Sequence, residues 1–334
     1  MTLVFSMTTI TGGKILMKNI LLITTGGTIA SKETSEGLSP ALSTETFFKN
    51  IKSEKNFVFP PDCIPLFNVD STNITVENWQ KIAETVFYNI EKYDGFIITH
   101  GTDTMAYTSG ALSLMLENIN KPVIITGSQL PLEVENSDAP KNLSDAFTVA
   151  TSDIKGVFIV FNGKIICGDC AKKLYTENFD AFHSINKEYA GKIENGKATI
   201  NEKYTVSSDK PVSLNTKMEK NIFVHRITPF DNISNIENII NSGIKGIILE
   251  GYGMGGIPNT ESLNYIPVIE KAIKNNIPVV ISTQCIYDGV NLSTYEVGVK
   301  AMKAGVLSSK NYTTEYAALR LMHFLGNNKD LKDY

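Results

Sequence analysis

The stretch "LLITTGGTIASKE", Leu21 to Glu33, sets a run of leucine and isoleucine directly against Thr24-Thr25-Gly26-Gly27-Thr28. The apolar run reads as a buried strand, and the glycine pair marks an abrupt turn at its carboxyl end. Such a turn can reverse the chain, cradle a phosphate, or let a substrate approach the backbone. A phosphate loop needs GxxxxGK[ST], and no lysine follows at that place. Two readings remain: a plain turn, or a hydroxyl at Thr28 presented where backbone N–H groups converge. The second arrangement suits attack on an acyl carbon.

Outward from this stretch, apolar β-branched runs recur at Ile64–Val69, Gly95–Thr99, Pro122–Thr126 and Gly156–Phe161, after the first at Ile20–Thr24. Helical patterns lie between several of them. Thr75 is a good N-cap for a helix with Trp79, Ile82, Ala83, Val86, Phe87 and Ile90 on one face. Others run through Ala111, Leu112, Met115 and Leu116, and through Leu143, Ala146, Phe147 and Ala150. Continuous apolar strands alternating with amphipathic helices predict a parallel sheet covered on both faces.

From Cys167 to Met218 the pattern dissolves into polar runs and short alternations, read as loops and a hairpin. Alternation resumes with strands at Ile222–Arg226, Gly246–Glu250 and Pro278–Thr283 and helices near Ser262–Lys274, Tyr295–Ala304 and Thr314–Leu325. Eight strand candidates raise the (β/α)8 barrel, but the interruption falls where a barrel needs another helix. The fold class predicted is α/β, with two open parallel-sheet domains, the N-terminal one larger. The boundaries are an extension over 1–16, disordered or preceding the true start, a catalytic domain over 17–204, a linker over 205–220 and a C-terminal domain over 221–334.

Composition narrows the function. With 334 residues, 42% hydrophobic, the chain can bury a large core, and a net charge of −4 without a basic block argues against nucleic acid or an anionic membrane as partner. No apolar run is long enough to span a bilayer, and the opening residues lack the n-region of a signal peptide. Four scattered cysteines fit a reducing, cytoplasmic setting better than a disulfide framework. Cys167-Gly-Asp-Cys170 has CxxC spacing, but no second ligand pair is evident, so no metal is expected.

Three further segments carry chemistry or mimic it. "GFIITHGTDTMAYTSGAL", Gly95 to Leu112, places His100, Thr102, Asp103 and Thr104 at a strand's carboxyl end, where open α/β sheets bind ligands. Thr102 and Asp103 supply a hydroxyl and a carboxylate, or simply cap the next helix; His100 tempts as a base, but it precedes the helix start and can equally be a packing residue. "NVDSTNIT", Asn68 to Thr75, crowds Asp70, Ser71 and Thr72 at the same edge, although Asx and Ser turns look alike. "EGYGMGGIP" has GxGxxG spacing at Gly251, Gly253 and Gly256, but Pro258 follows at once and the next strand ends without the ribose-binding acid. A dinucleotide site is not expected.

Taken together, "TTGGTIAS", "DSTNIT" and "DGFIITHGTDTMAYT", supported by "KPVIITGSQLP", "FDAF", "GYGMGGIP" and "STQC", resemble the bacterial L-asparaginases of the cytoplasmic type I group, in order from Met17 to the C-terminus. The resemblance implies hydrolysis of L-asparagine to L-aspartate and ammonia without metal or cofactor, with weaker action on glutamine. It implies a homo-oligomer, dimer or tetramer, its sites where one chain's N-domain meets a neighbour's C-domain. Thr28 matches the nucleophile, and Thr102 with Asp103 the second threonine and its aspartate, which also meets the substrate's amino group. Gly27, Asp70, Ser71 and Thr72 match the substrate-binding positions, Ser71 gripping the α-carboxylate. Counting back from Phe179–Phe182 reaches Lys173 as the catalytic lysine. Adjacent residues of an extended strand face opposite ways, so Lys172 points elsewhere. Chemically, a threonine hydroxyl is a weak nucleophile, and a lysine whose pKa is lowered by burial can activate it.

Leu38 stands about where many relatives carry a loop tyrosine, and Glu250 where allosteric relatives use an arginine; a carboxylate there opposes a carboxylate effector. The nearest rival, the asparaginase-like component of a tRNA amidotransferase, carries an extra N-terminal domain for which sixteen residues are too few. A silent amino-acid-binding protein has no need to keep Thr28, Thr102 and a lysine together.

Overall fold

Every residue of Ile20–Thr24 (β1), Gly95–Thr99 (β3) and Pro122–Thr126 (β4) is buried. Successive strand side chains point to opposite faces, so unbroken burial means that both faces of this sheet are covered. The computed structural model describes residues 9–11, 14–16, 18–30, 32–34, 37–39 and 62–334, with side chains over 18–29 and 62–334.

The chain divides by internal contacts into two units, Met1–Ser184 with Glu188–Asn215, and Ile185–Lys187 with Thr216–Tyr334. In the first, Asp62–Pro65 (β2) lies outside β1, and β1, β3, β4 and Gly156–Phe161 (β5) continue inward in parallel. Lys164–Cys167 (β6), Gly191–Glu194 (β9) and Lys197–Ile200 (β10) extend the sheet antiparallel, giving the order β10-β9-β6-β5-β4-β3-β1-β2. A separate pair, Ala171–Lys173 (β7) and Phe182–Ser184 (β8), stands beside it with Lys173 opposite Phe182.

The first helix among the described residues, Val76–Tyr88 (α1), follows Thr75, whose backbone N–H donates to Asn78 Oδ1 at 2.9 Å, and buries Trp79, Ile82, Ala83 and Val86. Met105–Met115 (α2) is buried almost all round, and Ala139–Ala150 (α3) packs on β4 and β5. The two open sheets expected from the alternation are present, and the barrel is not formed.

One strand differs from its expected position. The second runs over Asp62–Pro65 instead of Ile64–Val69 because its partner β1 ends at Thr24. Beyond Pro65, the N–H groups of Leu66 and Val69 donate to the Thr24 and Thr25 carbonyls at 3.0 Å each, following the turn in place of a ladder. Residues expected to be linker are ordered in part, since Ser213–Leu214 pairs with Leu116–Glu117. Within 1–16, Thr9–Thr11 pairs antiparallel with Lys14–Leu16; the remainder lies outside the described residues, as do Ser31, Pro40 and the side chain of Leu38.

In the second unit, Ile222–Arg226 (β11), Gly246–Gly251 (β12), Val279–Thr283 (β13) and Leu307–Ser308 (β14) form a parallel sheet in chain order. Alternate residues of β12 enter two cores. Ile247 and Leu249 join Ile236 and Ile240 of Ile233–Asn241 (α4), Val268 and Ile269 of Ile266–Lys274 (α5) and Ala301 of Glu296–Lys303 (α6). Ile248 joins Ala318, Leu321 and Phe324 of Thr314–Gly326 (α7). The glycines after β12 close a tight Tyr252–Gly256 bridge and lead to the short strand Asn259–Thr260, so no helix N-terminus meets a phosphate there. Among the described residues no helix is long and apolar enough to cross a membrane.

The glycine pair of the opening stretch is dictated by contact. Gly26 and Gly27 have φ of +100° and +85°. A Cβ on Gly26 would stand 2.6 Å from the Val69 backbone nitrogen, and one on Gly27 would collide with the Gly101 backbone nitrogen. Gly243, at φ +88°, has nothing within 4 Å of the same position. Gly243→Ala therefore carries dihedral strain alone, roughly 1–2 kcal/mol, whereas Gly27→Ala adds a backbone collision. Denaturant melts should show a clearly larger loss for Gly27→Ala. Equal losses would mean that the approach of the two loops is loose.

Candidate functional site

The parallel strands β2, β1, β3 and β4 are neighbours, so the loops leaving their carboxyl ends are neighbours too. Thr28 opens a 3-10 turn (Thr28–Ala30) and is half-buried. Its predecessor Gly27 lies against Gly101, and Gly101 in turn faces Ser71, whose Oγ would stand 2.5 Å from a Cβ there. Ser71 is 3% exposed. Thr104 Oγ1 donates to the Ser71 carbonyl at 2.7 Å, tying the second loop to the third. Backbone contact thus joins the loops bearing Thr28, Ser71 and Thr102.

Lys173 arrives from β7. Its Nζ donates to Thr102 Oγ1 at 2.8 Å and to Asp103 Oδ1 at 2.7 Å. The register through Cys170–Phe182 is held from the other strand. Leu174 N–H donates to the Ala181 carbonyl at 2.7 Å, and buried Phe182 packs on Phe161 with ring centroids 5.0 Å apart. Lys172 stands opposite His183 on the other face of the strand.

Asp70 and Thr72 are engaged with each other: Asp70 Oδ1 accepts from the Thr72 N–H and hydroxyl, both at 2.8 Å. This caps the 3-10 turn Ser71–Asn73 and sets the orientation of Ser71. Glu250, at the end of β12, has Arg226 Nη1 4.0 Å from its carboxylate. Cys167, Asp169 and Cys170 come together at the turn before β7, with ligand atoms within 4.8 Å of one another. CxxC spacing directs attention to histidines and a second cysteine pair as partners; here the neighbouring group is a carboxylate within the turn itself.

Two features of the site go beyond what the sequence pattern assigns. Gln129, just past β4, accepts a 3.3 Å hydrogen bond from Thr102 Oγ1 through Oε1, while its Nε2 donates to the Thr176 and Asn178 carbonyls at 2.9 and 3.2 Å. The Asp138 carboxylate accepts from the Gln129 and Leu130 N–H groups and from Asn142 Nδ2, fixing that loop. Its place at the end of a fourth adjacent strand was the available signal. The other is the set of partners around His100. With Nδ1–H donating to the Gly101 carbonyl at 2.7 Å, Nε2 accepts from Thr108 Oγ1 at 2.9 Å, and that oxygen accepts the Trp79 indole N–H at 3.0 Å. His100 is fully buried and packs, the second of the two readings its sequence context left open.

These loops, on a two-domain α/β scaffold, define a class of protein that gathers threonine hydroxyls, a carboxylate and a lysine at one sheet edge. Residues 19–206 match the family model "Asparaginase, N-terminal" and 221–334 match "Glutaminase/Asparaginase C-terminal domain". The chain belongs to the asparaginase/glutaminase family.

It is 36% identical over 315 residues to an L-asparaginase of Thermococcus kodakarensis, covering 94% of each chain. The structure of the thermostable L-asparaginase from that organism superposes with a TM-score of 0.87 over 94% of this chain and 95% of that one. L-asparaginase I from Vibrio cholerae superposes with a TM-score of 0.84 at 30% identity, over 95% of each chain. A component of the glutamyl-tRNA(Gln) amidotransferase of Pyrococcus abyssi is 36% identical over 335 residues, 96% of this chain and 75% of that protein. The bacterial grouping expected from the motifs is narrower than these relatives, two of which are archaeal.

Burial of His100 pulls its pKa from 6.5 down to about 4, against the bond to the Gly101 carbonyl, which raises it. Between those values the unfolded chain binds a proton that the folded one refuses. Stability from this group is therefore whole above pH 6.5 and falls as pH drops toward 4, by roughly 3 kcal/mol in all. NMR should find the His100 imidazole still neutral at pH 5. A midpoint near 6.5 would contradict the buried, neutral ring.

Proposed function

We propose that this chain hydrolyses the side-chain amide of L-asparagine to L-aspartate and ammonia through an acyl intermediate on Thr28, with weaker action on glutamine. One observation supports this most: Lys173 Nζ reaches both Thr102 Oγ1 and Asp103 Oδ1, on the loop whose Gly101 touches Gly27. Relatives named L-asparaginase add support.

In this reading the Thr28 hydroxyl oxygen bonds to the amide carbon. Its proton travels by way of Thr102 and Lys173 to the nitrogen, the C–N bond breaks, and ammonia leaves. Water then repeats the sequence on the ester, releasing the carboxylate and restoring Thr28. Positioning and proton transfer carry the rate, and the steps balance without metal or cofactor. Asp103 orients Lys173 and receives the substrate's ammonium. Ser71 and the Gly27 backbone hold the α-carboxylate, with Asp70 and Thr72 shaping the turn that presents Ser71. Fixing both charged ends selects a free amino acid over a peptide. We read the chain further as a type I-like, cytoplasmic homo-oligomer, dimer or tetramer, which light scattering of the active species tests directly.

Thr28→Val should preserve the thermal transition while ammonia release from asparagine drops by several orders of magnitude. Near-normal turnover would remove Thr28 from the role. Running glutamine in parallel separates this reading from that of an amidotransferase component, for which glutamine would be the better substrate.

The lysine doublet gives a second test. Lys173→Met should lower kcat on saturating asparagine by at least about two orders of magnitude, and Lys172→Met should change it little. The reverse order would assign the relay to Lys172.

A further inference from the structure

The turn between β6 and β7 offers two sulfur atoms that the proposed chemistry does not use. Cys170 N–H donates to the Cys167 carbonyl at 3.2 Å, closing the turn. The two Sγ atoms and a carboxylate oxygen of Asp169 lie within 4.8 Å of one another. Both cysteines are buried, and Asp169 is only half-buried, so the cluster has one polar side toward solvent.

The fold imposes this geometry. Gly168 N–H donates to the Val157 carbonyl at 3.0 Å, and Ser109 Oγ donates to the Gly168 carbonyl at 3.2 Å. A Cβ on Gly168 would stand 2.5 Å from Ser113 Oγ, so the turn is wedged against α2.

Tyr204 stands against this cluster. Its Oη is buried, and the Cys167 thiol is its hydrogen-bond neighbour. Its ring packs edge-on against Phe158, the residue paired with Cys167, and Cys167, Asp169 and Cys170 are its electrostatic neighbours.

We propose that Cys167, Asp169 and Cys170 form a binding site for one thiophilic divalent cation of the Zn2+ or Cd2+ class, its remaining position open to solvent on the half-buried Asp169 side. Two thiolates and one carboxylate suit such a cation, whereas Mg2+ and Ca2+ want oxygen throughout. Tetrahedral zinc with Zn–S bonds of about 2.3 Å holds its sulfurs roughly 3.8 Å apart, so rotamer-scale adjustment closes the cluster. Binding exchanges two thiol protons for the cation and involves no oxidation. The bound ion would lock the turn that leads into β7. The site stands apart from the proposed reaction and does not depend on it.

The test uses the full chain, reduced with a phosphine, stripped with EDTA and titrated with Co2+ and with Cd2+. One equivalent per chain should produce a thiolate-to-metal absorption band, unaffected by millimolar Mg2+, and should raise the melting temperature. Cys170→Ser should abolish the band, Asp169→Asn should weaken affinity about tenfold or more, and Cys285→Ser, at an exposed position, should change nothing. Asp169→Asn also serves if Cys170→Ser fails to fold. The proposal falls if no band appears, if the band survives both Cys170→Ser and Asp169→Asn at full affinity, or if Cys285→Ser removes it.

Discussion

Two backbones touch at Gly27 and Gly101, and the rest of the site follows from that contact. Neither residue can carry a side chain, because a Cβ on Gly27 meets the Gly101 nitrogen and one on Gly101 meets Ser71 Oγ. The contact is possible only because β1 and β3 are adjacent and in register, Thr24 opposite Thr99, so that both strands release their loops at the same height. With β2 outside β1 and β4 inside β3, four loops leave one edge side by side. Hydroxyls far apart in the chain are thereby gathered by backbone register.

The ion pair between Lys173 and Asp103 is a consequence of this scaffold. The Lys173 side chain is 18% exposed and that of Asp103 55%. At that exposure water screens the pair, which contributes at most about 1 kcal/mol to stability. The β7–β8 pairing and the Phe161–Phe182 packing deliver the ammonium group to its place. Gln129 acts from the opposite side, accepting from Thr102 while gripping two carbonyls of the loop that follows β7. Thr102 is therefore constrained from two directions, and the Asp138 carboxylate anchors one of them.

Much of this was readable in the sequence wherever apolar runs alternate with amphipathic faces. β1, β3, β4 and β5 are such runs, and the hydroxyl-rich loops announce themselves directly after them. Legibility ends where burial does not set the pattern. α4 was missed because its isoleucines favour strands, and the asparagines at 232, 235, 238 and 241 favour turns. The antiparallel extension β9–β10 carries Lys192, Glu194 and Lys197 with Ile193 as its one buried side chain, as an exposed sheet edge does, and gives little apolar signal. β2 was displaced because a strand ends where its partner does, which no local pattern reveals. Gln129 shows only its place at the end of a strand, because its partners lie on a loop distant in sequence, a relation that no local pattern reveals.

The partners of His100 have a use of their own. Trp79 is the only tryptophan in the chain, and its indole N–H reaches, through Thr108, the imidazole that holds the Gly101 carbonyl. Indole emission is sensitive to the polarity and hydrogen bonding of its surroundings, so the tryptophan fluorescence of this protein, excited apart from its 13 tyrosines, comes from one place, two hydrogen-bonded steps from the loop that bears Thr102. The molecule thus carries a native optical label: light collected from an unmodified sample registers local opening at that sheet edge separately from events in the second unit, which has no tryptophan to report them.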